Sequence, residues 1–391
     1  MGARPKPWCR EAHIRLAGAP TQVSDWHVGR TFHGRDLLAD QETVLTGLAS
    51  LVERERVDVV VVAGDLYDRA MPSAESIETC GRALAAIREA GAQIVITPGN
   101  HDSAQRIGVF GPFAAAGGLH LRTKLSTLDT PVVLDDVAFY GLPYLDPEPA
   151  RHSLGVDGRG HAAVLGEAMR RVRADLRNRS GLGTMVAAHA FVTGGETSES
   201  ERSIRVGGID HVPGSVFDGV DYIALGHLHG AQKLAENLRY SGSPLAYSFS
   251  EARHRKQVLL VDLDSYGLHK VTQVELPVPR RLGTLAGRLD DLLSDPAHAD
   301  LEECFLSVAV TDEVRPLDLQ RKLQERFPYA VHAEWRPDGG RAAAELRYAD
   351  AVRGRSDHQI AQGFVHDVRG SVPTTSESLL LEQAFREVET E

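Results

Sequence analysis

The chain has 391 residues, 42% of them hydrophobic and 25% charged, with a formal net charge of −11. That length supports two or three domains around a sizeable core, and the acidic balance excludes a protein that coats nucleic acid through a broad basic surface. It leaves open an enzyme that holds a phosphate through bound cations, because such ions invert the local field.

Residues 1–22 carry Arg4, Lys6, Arg10 and Arg15 without the continuous apolar stretch of a secretory signal, so no leader is expected. No run of apolar residues is long enough to span a membrane. Cys9, Cys80 and Cys304 are far apart and lack CxxC spacing, which argues against a disulfide framework or a zinc knuckle and fits a reducing cytoplasm.

Along the chain, Leu38, Gln41, Val44, Leu45, Leu48, Leu51 and Val52 keep a three-to-four spacing and predict an amphipathic helix. A buried strand follows over 57–63. A second helix is expected to bury Ile77, Cys80, Leu84 and Ile87, and Ile94-Val95-Ile96 predicts the next strand. Further strands are expected at 137–140, 185–188, 222–225 and 258–263, giving an α/β pattern through residue 275. Leu276-Pro277-Val278-Pro279 reads as a connector. A small α+β module is expected at 280–340, with a helix over 282–293, a strand over 305–310, a helix over 317–327 and a strand over 330–335. Residues 356–391 read as helical, polar and acidic, with Leu379, Leu380, Leu381, Phe385 and Val388 as apolar points.

The residues that carry chemistry stand at strand ends. Asp25-Trp26-His27 precedes the first helix; Gly64-Asp65-Leu66-Tyr67-Asp68-Arg69 follows the valine-rich strand. Gly99-Asn100-His101-Asp102 follows Ile94–Thr97, His189 follows Met185–Ala188, and Gly226-His227-Leu228-His229 follows Tyr222–Leu225. Loops beyond the carboxyl ends of strands are where open α/β sheets bind ligands. Any one of these motifs alone is a satisfied polar turn more often than a ligand, but five such loops each delivering His, Asp or Asn are hard to attribute to packing.

Carboxylates, imidazoles and one amide oxygen together suit manganese, iron or zinc better than calcium or a thiolate-bound ion. With two such ions a carboxylate must bridge them and a shared water becomes the nucleophile. A metal lowers the pKa of water from about 15.7 to about 7, on the order of 12 kcal/mol of activation that no basic side chain supplies alone.

The ordered set Asp25-x-His27, Gly64-Asp65-x-x-Asp68-Arg69, Gly99-Asn100-His101-Asp102, His189 and Gly226-His227-x-His229 resembles the calcineurin-like metallophosphoesterase superfamily. Ser24–Arg30, Ala63–Arg69, Ala224–His229, Glu201-Arg202 with Val206-Gly207-Gly208, and Tyr240-Ser241-Gly242-Ser243-Pro244 narrow it to the nuclease subunits of bacterial SbcCD-type complexes, strongly over 23–275 and more loosely beyond. The resemblance implies two packed sheets flanked by helices over 23–275, a small α+β capping domain over 280–340, and a C-terminal segment over 356–391 that docks on an SbcC-type ATPase. It also implies two divalent cations, manganese expected. Asp25, His27, Asp65 and His229 would hold one ion; Asp65, Asn100, His189 and His227 would hold the other.

His101 matches the family's catalytic histidine at the scissile phosphate, with Asp68 orienting it; Asp102 is read as fixing the turn. Arg30 and Arg69 have two readings, phosphate contact or pairing with nearby carboxylates. The implied activity is exo- and endonucleolytic hydrolysis of DNA in end processing, repair, recombination and replication, by a cytoplasmic homodimer within a heterotetramer that has no membrane partner. A phosphodiesterase or protein phosphatase acting on other substrates is the alternative.

One departure stands out. Where family members carry a clean apolar strand before Asp-x-His, this chain has Leu16–Val23 with Pro20 inside it, so residues 1–22 are expected to be atypical and the first strand weak.

Overall fold

A computed structural model describes residues 20–202, 204, 211–337 and 355–388. The chain divides between Arg280 and Arg281 into two compact units.

The first unit is built on two six-stranded sheets. One runs, edge to edge, Gly267–Glu275, Gln257–Asp264, Pro20–Val23, Val59–Ala63, Gln93–Thr97 and Leu119–Leu121. The other runs Gln232–Ala235, Leu238–Tyr240, Tyr222–Gly226, Gly183–His189, Val137–Leu142 and Val132–Leu134. Central neighbours in both are parallel, so their carboxyl ends and following loops emerge on one side.

The valine run shows why the sheets stack. Val59, Val61 and Ala63 join Val95, Phe139, Met185, Ala187, Tyr222 and Ala224 in the layer between the sheets. Val60 and Val62 alternate to the other face, where they are equally buried. The second sheet's outer face packs Tyr140, Val186, Ile223 and Leu225 against Val164, Ala168, Met169 and Val172 of the helix His161–Leu176.

The helix Leu38–Glu55 buries Gln41, Val44, Leu45, Leu48, Leu51 and Val52, the stripe that the sequence spacing predicts. The helix Ala74–Glu89 instead presents Ser76, Thr79, Cys80, Ala83 and Ile87, and Ile77 is exposed. The buried face is rotated because the small residues, not Ile77, allow close approach; the Ser76 side chain stands where a Cβ on Gly29 would have to go.

The first strand is a correction to the sequence reading. Pro20–Val23 is fully buried and sits between two partners, parallel to Val59–Ala63 and antiparallel to Gln257–Asp264. Proline takes the first position of the strand, where its missing N–H is tolerated. Gln22, polar yet buried within the strand, ties the two sheets together. Gln22 donates to the carbonyls of Leu225 and Arg239, both at 3.0 Å, and accepts from the Tyr222 hydroxyl at 2.6 Å. Residues 1–19, and Val206-Gly207-Gly208 of the flanking motif, lie outside the described residues.

The second unit holds a three-stranded parallel sheet of Leu282–Gly287, Phe305–Val310 and Ala330–Trp335, with Leu306, Val308, Leu323 and Phe327 in its core. The expected helix over 282–293 is wrong in its first half: Leu282–Gly287 is a strand and only Leu289–Ser294 is helical. Gly283 and Gly287 weaken a helix, and Phe305–Val310 offers a full parallel register that draws 282–287 into the sheet. Helices Asp357–Arg369 and Thr375–Val388 follow, the first opened by a Ser356–Gln359 capping box.

Candidate metal centre

Five loops deliver the predicted residues to one place, and the backbone is bent to do so. Asp25, His27, Asp65 and His227 have positive φ of 54°, 46°, 50° and 107°, half of the eight described non-glycine residues in that region. Each such conformation costs on the order of 1–3 kcal/mol and persists only where its surroundings enforce it. The enforcing bonds are present: Asp25 N donates to Gly64 O at 3.1 Å, His27 N to Asp65 O at 2.9 Å, and His227 N to Asp25 Oδ1 at 2.9 Å.

Asp102 accepts from the main-chain N–H of Leu66, Tyr67 and Gly99 at 2.9–3.0 Å, fastening its own turn to the Asp65 loop. The two sheets also touch main chain to main chain here, with a Cβ on Gly226 falling on the Ala63 carbonyl. Gly226→Ala is therefore expected to destabilise the fold by at least about 2 kcal/mol, as main-chain overpacking cannot be relieved by a rotamer change; a urea midpoint within error of wild type would refute this.

The side chains converge around Asp65. Its Oδ2 lies 3.6 Å from His27 Nε2 and 3.5 Å from His189 Nε2, so one oxygen faces two donor sets. On one side His27 Nε2 and His229 Nε2 are 3.0 Å apart. On the other, His189 Nε2 and Asn100 Oδ1 are 2.8 Å apart, and the His227 ring stands 5.3 Å from that of His189. Asp25 lies within reach of both sets: Asp25, His27 and His229 form one group with donor atoms within 4.8 Å of one another, and Asp25, Asp65 and His189 another.

His101 borders the centre. Its main-chain N–H donates to Asp65 Oδ1 at 2.9 Å, and its ring Nδ1 bonds the main-chain carbonyl of Asp68 at 2.8 Å rather than the carboxylate, whose Oδ1 is 3.9 Å away. Arg30 and Arg69 both pair with Asp68, at 3.6 and 3.8 Å, and the Arg69 side chain is 80% exposed.

Burial sets the charge states. It holds His27 and His227 well below the usual imidazole range and His189 down at about 3, so these rings are neutral near pH 7. Burial lifts the Asp65 carboxyl to about 6; burial and the Asp65 charge together lift Asp25 well above its ordinary value and Asp102 to about 7.

These residues fit a pair of divalent cations. His189 Nδ1 lies 3.2 Å from the Ala63 carbonyl, which only accepts, so its proton is on Nδ1 and its Nε2 lone pair faces the Asn100 oxygen. A cation beside both atoms would take up these two lone pairs. The 3.0 Å between His27 and His229 nitrogens is the spacing of two donors at right angles around an ion with bonds of about 2.1 Å.

Several supporting residues escaped the sequence reading. Gln41 donates to the His27 carbonyl at 2.7 Å and Tyr247 OH to the Trp26 carbonyl at 2.5 Å. Glu201 accepts from His229 N at 2.8 Å, and Ser200 Oγ lies 2.6 Å from His229 Nδ1. Gln41 left a signal as a polar residue on a helix's apolar face, and Glu201 as part of a flanking motif. Glu251 and Lys256 sit in a charged stretch that reads as surface, yet are 1% and 3% exposed.

Among solved structures, a dimetal phosphatase from Danio rerio aligns at 13% identity over 66% of this chain and 99% of that one, with a TM-score of 0.40. A protein of Thermus thermophilus aligns at 12% identity over 66% and 98%, with a TM-score of 0.39. The D subunit of the nuclease SbcCD from Staphylococcus epidermidis is 29% identical over 309 residues, 78% of this chain and 82% of that protein. A model of the calcineurin-like phosphoesterase family matches residues 21–231, more than half of the chain and all five loops that carry the predicted residues. The chain belongs to the calcineurin-like phosphoesterase family, and within it is similar to the D subunit of an SbcCD nuclease.

Proposed function

We propose that the chain is a two-metal DNA nuclease that hydrolyses phosphodiester bonds, exo- and endonucleolytically, with an SbcC-type ATPase as partner. The observation that carries the chemistry is Asp65 Oδ2 facing two donor sets at once, with His101 beside it. The nuclease named among its relatives supports DNA as substrate and the ATPase as partner.

In this reading Asp25, His27, Asp65 and His229 hold one ion and Asp65, Asn100, His189 and His227 the other, Mn2+ being expected at both. When bound, the cations polarise the phosphoryl oxygens and bring the pKa of water to about 7. The protein's own groups do the rest. The neutral imidazoles offer lone pairs without competing protons, and the left-handed turns at Asp25, His27 and Asp65 aim the donors inward. With Nδ1 held by the Asp68 carbonyl, His101 offers Nε2 to the scissile phosphate and its leaving oxygen. Arg30 is engaged by Asp68, the Ser200 carbonyl and the Tyr247 face, so Arg69 is the freer guanidinium to meet a neighbouring phosphate.

Residues 280–340 serve as the cap and 356–391 as the ATPase-docking segment of a cytoplasmic homodimer within a heterotetramer, acting in DNA repair, recombination and replication. The test is incubation of linear duplex DNA with the chain, its ATPase partner and Mn2+. Chelator-sensitive release of nucleotides or fragments is expected. Turnover of a cyclic nucleotide or phosphopeptide with none on DNA would move the assignment to a phosphodiesterase or phosphatase.

A further inference from the structure

Behind His229 lies a buried chain of polar groups that the metal-site reading does not use. Lys256 Nζ donates to Glu251 Oε2 at 2.5 Å, and Ser200 Oγ donates to Glu251 Oε1 at 2.5 Å. Ser200 Oγ in turn lies 2.6 Å from His229 Nδ1. Glu251 is an acceptor at both oxygens, because its partners include the Lys256 ammonium and the main-chain N–H of Tyr247 at 3.2 Å.

A hydroxyl has one proton. Ser200 has three partners for it, Glu251, His229 Nδ1 and the Ser198 hydroxyl at 2.9 Å. The carboxylate is the only charged one and the shortest contact, so it takes the proton. Ser200 Oγ then meets His229 Nδ1 as an acceptor, which requires the imidazole proton to be on Nδ1. The lone pair is left on Nε2, the nitrogen 3.0 Å from His27 Nε2. The same elements clamp the His229 backbone, Glu201 accepting its N–H at 2.8 Å and Lys256 donating to its carbonyl at 3.0 Å.

We propose that Lys256, Glu251 and Ser200 form a positioning relay that fixes His229 as the Nδ1–H tautomer and so presents its Nε2 lone pair to a divalent cation. The inference rests on the metal-site reading for its purpose, but the tautomer belongs to the metal-free protein. Carboxylate-backed imidazoles bind metals more tightly because ring orientation and tautomer are set in advance; here a hydroxyl transmits the carboxylate's effect. Ser200, Glu251 and Lys256 are positioning residues, since none reaches the donor cluster itself.

Long-range 15N–1H NMR of the metal-free, 15N-histidine-labelled full chain, with His229 assigned by its loss in His229→Gln, reads the tautomer directly. Wild type is expected to show His229 protonated at Nδ1, and Ser200→Ala a mixture. Calorimetric titration with Mn2+ is expected to give one site weakened about 10–100-fold in Ser200→Ala and the other unchanged. Ser200→Thr, which keeps the hydroxyl, should restore both readouts, and thermal melts identify any variant that fails to fold.

A His229 protonated at Nε2 in wild type, or a folded Ser200→Ala with wild-type Mn2+ binding at both sites, overturns the relay and leaves the metal centre standing. A wild-type chain that binds no Mn2+ overturns the metal centre and the relay's purpose together.

Discussion

Asp65→Asn is expected to lower kcat by at least about 10³-fold, about 4 kcal/mol of barrier, and to leave the protein unable to retain two equivalents of Mn2+. The substitution keeps the shape: the main-chain carbonyl that anchors His27 N and the side-chain oxygen that accepts from His101 N remain available. What goes is the negative charge of the single oxygen that lies 3.5–3.6 Å from both His27 and His189. On the proposed two-metal reading an amide would not serve both cations, so their mutual repulsion would no longer be offset and the activation of water would be lost.

The pH dependence separates this from a folding defect. Burial lifts the Asp65 carboxyl from the ordinary 3.8 to about 6, so between those values the folded, metal-free chain holds a proton that the unfolded chain has released. Stability from this group is present below about 4 and is lost as pH rises towards 6. The metal-free Asn variant should therefore gain on wild type in urea midpoint between pH 4 and pH 6.5. Mn2+ binding near pH 5.5 should expel that proton in wild type, seen as a buffer-dependent binding enthalpy, and expel less in the variant. Equal metal content and turnover in the two proteins would dismiss Asp65 as the shared ligand.

Much of this centre is legible in the sequence because its parts are local. Strand, glycine and polar turn follow one another at Ala63–Asp65, Pro98–His101 and Leu225–His229, and a parallel sheet places consecutive strand ends on one side. The supporting groups are not legible for the opposite reason. Glu251 and Lys256 neutralise each other across five residues, and only the fold reveals that both are buried against His229. The first strand misleads because Pro20 reads as lying inside it, whereas it opens the strand. Gln22 is satisfied by carbonyls of the other sheet more than 200 residues away, a partner no local pattern announces. The strand over 282–287 shows in no local spacing; its parallel register with Phe305–Val310 decides it.

His101→Asn is expected to lower kcat by about 10²–10⁴-fold, the range of a lost general acid, while leaving Mn2+ affinity within about threefold of wild type. The split follows from position. His101 lies outside both opposed pairs of donors, its Nε2 being 4.0 Å from Asp65 Oδ2, and its ring packs edge-on against His27 at 4.6 Å between centroids. Its Nδ1 is occupied by the Asp68 carbonyl, so one nitrogen is fixed and the other is left for the proposed contact with substrate.

A group that protonates the leaving oxygen matters less as that oxygen becomes a better leaving group, so the deficit should shrink markedly on a nitrophenyl phosphodiester. A deficit of the same size on both substrates would assign His101 to phosphate binding alone. Asp68→Asn should cost less than His101→Asn, because the bond that orients the ring comes from the main chain. The Asp68 carboxylate contributes only charge, at 3.9 Å from His101 and 3.6 Å from Arg30.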